Sequence, residues 1–186
     1  MRFLLIFIVA GFMSCKRDSA HSVIPQSTRS VNSKNRNEEV KPAKQTFFLN
    51  SKGARIDKVE KSMDDWAKQL SKMEFYVLRE KGTEPSFTGD LLRNNKKGVY
   101  TCAACALPLF ESKAKFKSGT GWPSFYQPID QTHILEEQEP NLTYIPTEVM
   151  CNRCEGHLGH VFTDGRQPTG LRYCINSVSL NFEEAN

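Results

Sequence analysis

Cys151-Asn-Arg-Cys-Glu-Gly-His-Leu-Gly-His-Val-Phe162 joins a CxxC knuckle to a strand-like run that carries two histidines. A second knuckle, Cys102-Ala-Ala-Cys105, precedes it by about forty-five residues. Each CxxC presents two thiolates from one tight turn, and two such turns close the tetrahedral sulfur cage that zinc favours. With Cys102, Cys105, Cys151 and Cys154 as ligands the shell is full, so the metal is structural, and its binding energy supports a small fold. Two other uses of the pattern stay open: a pair of disulfides in an oxidising compartment, or a redox-active dithiol. Matched knuckles favour zinc. His157 and His160 are then free for other work.

Outward from the knuckles, short apolar stretches alternate with Gly, Pro and Asn: Val99–Thr101, Phe125-Tyr126, His133–Leu135, Leu142–Ile145, Glu148–Met150, His160–Phe162 and Arg172–Phe182. That rhythm predicts a mainly β, antiparallel domain. Before it, Ser62 reads as an N-cap with Asp65 three residues on. Trp66, Leu70, Met73 and Val77 follow at helical spacing, the stripe of an amphipathic helix that packs on a core. Gly82, Pro85 and Gly89 end the helical pattern.

Two of the six cysteines stand outside the knuckles, and one of these is Cys174 in Arg172-Tyr-Cys-Ile-Asn-Ser177. Strand alternation places Arg172, Cys174 and Asn176 on one face. A guanidinium favours thiolate, the attacking form, and an amide can donate to a developing oxyanion. A small core cysteine is the commoner fate on composition alone, but charged and amide neighbours argue against apolar burial.

The other is Cys15. Residues 1–14 have a basic start, an apolar run too short to span a bilayer and a small residue before Cys15, so they read as a signal peptide of the lipoprotein type, with Cys15 lipidated. An ordinary secretory signal cleaved further on is the alternative. Both predict export, and the first predicts a membrane-anchored protein of the bacterial cell envelope or periplasm. Residues 16–60 are expected to be a disordered tether: rich in Ser, Asn, Lys and Arg, they offer little to bury apart from an apolar island at Thr46–Leu49. Residues 1–97 carry 19 Lys and Arg against 11 Asp and Glu, whereas residues 98–186 carry 6 against 10. A mildly acidic knuckle domain is not built to grip phosphates, which excludes nucleic acid as a partner.

Ser118-Gly-Thr-Gly-Trp-Pro-Ser-Phe125, Cys154–Phe162, Asp164-Gly-Arg-Gln-Pro-Thr-Gly170 and Arg172–Ser177 resemble, in order, the motifs of methionine sulfoxide reductase B, and Arg79–Gly89 resembles that family's N-terminal block. The resemblance spans residues 62–183. It implies two antiparallel β-sheets, tent- or barrel-like, with short N-terminal helices and the structural zinc at one side. It implies repair of the R epimer of methionine sulfoxide in oxidised proteins and peptides, as part of an oxidative stress response. Cys174 is then the nucleophile that becomes a sulfenic acid, with His160, His157 and Asn176 as proton donors. Trp122 receives the substrate methyl, Arg172 favours the thiolate, and Phe162 walls the pocket. A thioredoxin-like or small-molecule thiol is the expected reductant, and a monomer the expected state. Many relatives place a resolving cysteine where this chain has Thr120, so the sulfenic acid is expected to persist or to meet an external thiol directly.

Two rival classes remain open from the sequence: a non-catalytic zinc-ribbon binding module, and a thiol–disulfide oxidoreductase that uses a knuckle. Zinc held by all four thiolates rules out the second.

Overall fold

The computed structural model describes residues 47–138 and 147–185. The expected signal peptide, Cys15, most of the tether and the apolar stretch at 142–145 lie outside the described residues.

The short apolar runs become antiparallel strands. Six of them, β5 (Lys115–Phe116), β6 (Ser124–Phe125), β7 (Ile134–Glu137), β8 (Thr147–Cys151), β9 (His157–Phe162) and β10 (Arg172–Ile175), form one sheet in the order β5-β6-β10-β9-β8-β7. Three more, β3 (Gly98–Cys102), β4 (Pro108–Glu111) and β11 (Leu180–Glu184), form a second sheet in the order β11-β3-β4. Aromatic residues from both sheets meet in the core. Phe110 of β4 stacks on Phe125 of β6 at 4.4 Å, and Tyr100 of β3 meets the same ring edge-on at 5.0 Å. Tyr173 of β10 packs on Phe110 at 5.8 Å. Such pairs contribute about 0.5–1.5 kcal/mol each beyond the area they bury. The mainly β fold of two antiparallel sheets is therefore as expected.

The single helical stripe divides in two. Helix α1 (Met63–Gln69) starts at Ser62, whose side chain accepts the Asp65 N–H, and ends where Leu70 turns extended. Helix α2 (Lys72–Glu80) starts at Ser71 with a reciprocal cap: Ser71 Oγ accepts from Glu74 N–H, and Glu74 Oε2 accepts from Ser71 N–H. That local pairing competes with a continuous helix and wins. The break leaves Trp66, Leu70 and Val77 buried, but it turns Met73 toward solvent, 43% exposed.

The C-terminal part of the expected tether is corrected. Residues 47–57 form a hairpin, with β1 (Phe47–Leu49) paired to β2 (Arg55–Asp57). Phe48 buries its ring against the edge of His133. Arg153 of the second knuckle donates to the Asp57 carbonyl, and the Val59 N–H donates to the Arg153 carbonyl. One large apolar side chain and a few backbone hydrogen bonds suffice to hold this stretch, which its polar composition concealed.

Candidate active site

The two knuckles are built alike. In each, the residue after the second cysteine (Ala106, Glu155) takes a positive φ and donates its N–H to the carbonyl of the first. The first cysteine's N–H in turn donates to Leu107 or Gly156 across the turn. All four thiols are buried, and their sulfurs lie within 4.8 Å of one another. Two contacts cross between knuckles, Cys102–Cys154 at 3.7 Å and Cys105–Cys151 at 3.5 Å. A tetrahedron of 2.3 Å metal–sulfur bonds has edges of about 3.8 Å, so the donor set fits a metal ion. These distances are far from the S–S bond of a disulfide, and the cysteines are unbridged. Hydrogen bonds from Cys102 and the other two thiols hold Cys154 strongly toward thiolate, while neighbouring thiols push Cys102 up and burial above all pushes Cys151 up. Without a cation Cys102 and Cys151 thus resist ionisation. Arg79 of α2 adds a positive group, 3.5 Å from Cys154 Sγ.

Apart from the cage, a cavity of about 180 Å³ is lined by Thr83, Trp122, Gly159, His160, Phe162, Cys174 and Asn176. Five of the seven are residues singled out from the sequence. Cys174 on β10 and His160 on β9 are cross-strand partners, so both side chains rise from one face. Trp122 comes from the loop before β6 and is anchored by its indole N–H, which donates to the Glu84 carbonyl. Asn176 is 3% exposed and doubly fixed: Oδ1 accepts the Glu84 N–H, and Nδ2 donates to the Leu158 carbonyl. Burial, then the neighbouring His157, lower the pKa of His160.

His157 and Arg172 stand outside this lining. His157 is buried behind His160, ring centroids 5.3 Å apart. Its Nδ1–H donates to Glu148 Oε1 at 2.7 Å, and its Nε2 is buried without a hydrogen-bond partner. Burial alone would raise Glu148, but hydrogen bonds from Lys81 and His157 outweigh it and hold the carboxylate below its ordinary range. In a regular strand, residues three apart face opposite ways. Here the β8–β9 register slips so that Val149 pairs with Gly159 and Met150 with His157, and this bulge lets the two imidazoles touch. Arg172 forks onto Asp164, Nε–Oδ1 2.8 Å and Nη2–Oδ2 2.9 Å, and lies over the Phe162 ring. Asp164 raises its pKa most, with Cys174 contributing less, so the guanidinium stays charged beside the thiol.

Three contributors escaped the sequence reading. Thr83 completes the wall. A Cβ at Gly159 would sit 2.1 Å from the Cys174 carbonyl, so only glycine lets β9 approach β10 there. Glu84 accepts the N–H groups of Ser177 (2.6 Å) and Val178 (2.9 Å) and thereby holds the turn that carries Asn176. Its signal, an acid between Gly82 and Pro85, is too weak to find alone.

The profile of the SelR domain matches residues 70–184. The chain belongs to the SelR family, that of methionine sulfoxide reductase B. It is 52% identical to a peptide methionine sulfoxide reductase MsrB of Leptospira interrogans over 126 residues, 68% of this chain and 96% of that one. Similar proteins of the same name occur in Methanosarcina barkeri (55% identical, 67% and 88% covered) and Bradyrhizobium diazoefficiens (54%, 68% and 91%). The SelR span contains both knuckles and the whole cavity lining, whereas the β1–β2 hairpin and Trp66 precede it.

Proposed function

We propose that the chain reduces the R epimer of methionine sulfoxide in peptides and proteins to methionine, with Cys174 as nucleophile. Family membership supports the reaction, and one observation carries the assignment to residues: a single small cavity gathers a thiol, an imidazole, an amide and two aromatic rings. The cavity suits a sulfoxide side chain rather than a bulky group. Trp122 and Phe162 offer aromatic faces to the methyl on polarised sulfur. His160 stands beside the thiol to deliver a proton to the sulfoxide oxygen, and His157 backs it. Asn176, its amide orientation fixed by two hydrogen bonds, presents its remaining N–H hydrogen as a donor. Arg172 supplies the positive field that favours thiolate.

In the reaction the Cys174 thiolate attacks the sulfoxide sulfur, and oxygen passes to Cys174 as the S–O bond of the substrate breaks. Methionine leaves reduced by two electrons, and Cys174 becomes the sulfenic acid. With Thr120 in the 118–122 loop and the knuckle thiols committed to metal, an external thiol takes the next step. It condenses with the sulfenic acid, releasing water, and a second thiol frees Cys174 from the mixed disulfide. A thioredoxin-like dithiol supplies both.

Zinc is the ion best suited to the four-thiolate cage, and when bound it cross-links β3 and β8. The chain is exported and held at a membrane by lipid on Cys15, a reading supported by the residue pattern of 1–15. Replacing Cys174 by Ser and assaying R-methionine sulfoxide reduction tests the core of this assignment. Turnover should vanish with the fold intact, and undiminished turnover removes Cys174 from the mechanism.

A further inference from the structure

We propose that Thr120, Ser118 and Ser124 form a reversible hydroxyl relay that sets the acidity of Cys174, with Thr120 as the direct donor to the thiolate. The relay rests on Cys174 being the nucleophile and adds residues to its control. Four contacts define it. Thr120 Oγ1 lies 3.7 Å from Cys174 Sγ, and Ser118 Oγ lies 2.9 Å from Thr120 Oγ1. Ser124 Oγ lies 2.7 Å from Ser118 Oγ and 3.2 Å from the Trp122 carbonyl oxygen.

Each hydroxyl owns one proton, so the chain has a direction. The carbonyl at its far end can only accept. When Ser124 donates to it, Ser118 must donate to Ser124, and Thr120 must donate to Ser118. Thr120 then has no proton for the sulfur, and the thiol S–H donates to Thr120. This is the order for protonated Cys174. A thiolate cannot donate. Were Thr120 alone to turn toward it, the Thr120 and Ser118 oxygens would face each other at 2.9 Å with no hydroxyl proton between them. The chain therefore reverses as a unit, Ser124 to Ser118, Ser118 to Thr120, Thr120 to sulfur, and the oxygen pair left without a proton becomes Ser124 and the Trp122 carbonyl, at the longer separation of 3.2 Å. The thiol proton leaves into the cavity, no covalent bond to oxygen breaks, and three rotors exchange one acceptor for another.

Position makes the relay effective. Ser124 is fully buried and is the cross-strand partner of Cys174, so β6–β10 pairing sets its distance. Water is excluded from this end of the chain, where hydrogen bonds polarise one another strongly, while Ser118 and Thr120 are half-buried. The Thr120 backbone N–H also points at Ser118 Oγ, at 3.4 Å. Positive φ at Gly119 and Gly121 turns the loop so that Thr120 faces the thiol. The charged and titratable groups around Cys174 are Arg172 with Asp164, and His160 with His157, Glu148 and Lys81 behind it. Lys117 and Arg166 rim the hollow beside Thr120. None of these changes in the variants that follow.

The test is the pH dependence of Cys174 alkylation by iodoacetamide, read at the Cys174 peptide by mass spectrometry on the zinc-loaded full chain. Thr120→Val keeps shape and removes the donor, and it should move the midpoint up by about one pH unit. Thr120→Ser should restore the wild-type curve. Ser118→Ala, which leaves Thr120 unsupported, should move it the same way by less, and it keeps the test alive if Thr120→Val misfolds. A Thr120→Val or Ser118→Ala curve that overlies wild type overturns the relay, as does a Thr120→Ser curve shifted as far as Thr120→Val. Alkylation reads acidity without turnover, so the two assignments fail separately. Overlying curves beside a Cys174→Ser protein that has lost turnover sink the relay alone, and shifted curves beside undiminished turnover in Cys174→Ser sink the nucleophile assignment.

Discussion

His160 and Cys174 face each other across the β9–β10 ladder and line the same cavity. Because burial lowers the pKa of His160 below its ordinary 6.5, its protonated fraction grows only as the pH falls through that range. The alkaline limb of kcat/KM is therefore expected to have its midpoint below 6.5. His160→Asn should lower turnover on the order of 100-fold and abolish that limb. Steady-state kinetics across pH on both proteins checks this, and an unchanged limb in His160→Asn assigns the proton to another group.

Metal removal should unfold the domain rather than merely slow it. All four thiols are buried, and Cys102 and Cys151 are held away from thiolate in the absence of a cation, so a bound metal is expected to support the fold directly. One zinc per chain is expected by elemental analysis. Chelation, or Cys154→Ser, should collapse the near-ultraviolet dichroism of the aromatic core. Retention of that signal in metal-free protein would make the cage dispensable.

Phe48 anchors the β1–β2 hairpin against His133. Phe48→Ala should cost about 3 kcal/mol in denaturant unfolding, the scale of a buried aromatic deletion. Turnover at low temperature should be little changed, since no hairpin residue lines the cavity. A midpoint equal to wild type would show the hairpin to be unimportant for stability.

Glu84 satisfies two backbone donors beside Asn176. Glu84→Ala should cost about 2 kcal/mol for the unpaired N–H groups and depress turnover by loosening Asn176. Burial raises the carboxyl's pKa despite the opposing hydrogen bonds from Ser177 and Val178. The folded state thus holds this proton more tightly than the unfolded chain. The stability advantage of wild type over Glu84→Ala is fully present below 4.5 and shrinks as the pH rises through the folded-state pKa. Urea midpoints for both proteins at several pH values test the sign.

Much of this protein is written locally. A CxxC turn needs only its own four or five residues to aim two sulfurs, so all four cage ligands were legible from Cys102 to Cys154. Alternating apolar runs announced the sheets, and Cys174 stood out because the knuckles accounted for the other thiols of the domain. Other features depended on contacts between distant segments. The split between α1 and α2 was signalled by Ser71 and Glu74, but the longer helical stripe masked it. The hairpin at 47–57 was hidden because Phe48 of its short apolar island acquires its meaning from His133, and the Asp57 carbonyl from Arg153. His157 and His160 are indistinguishable by type and spacing. A bulge in the β8–β9 register places one at the cavity and the other behind it. Thr120 likewise reads only as a missing cysteine until the 118–122 loop folds over β10 and sets its hydroxyl against Cys174. Residue type and local spacing determine which groups are available for chemistry. Register and loop closure bring groups far apart along the chain within hydrogen-bonding distance, and only the tertiary structure decides those distances.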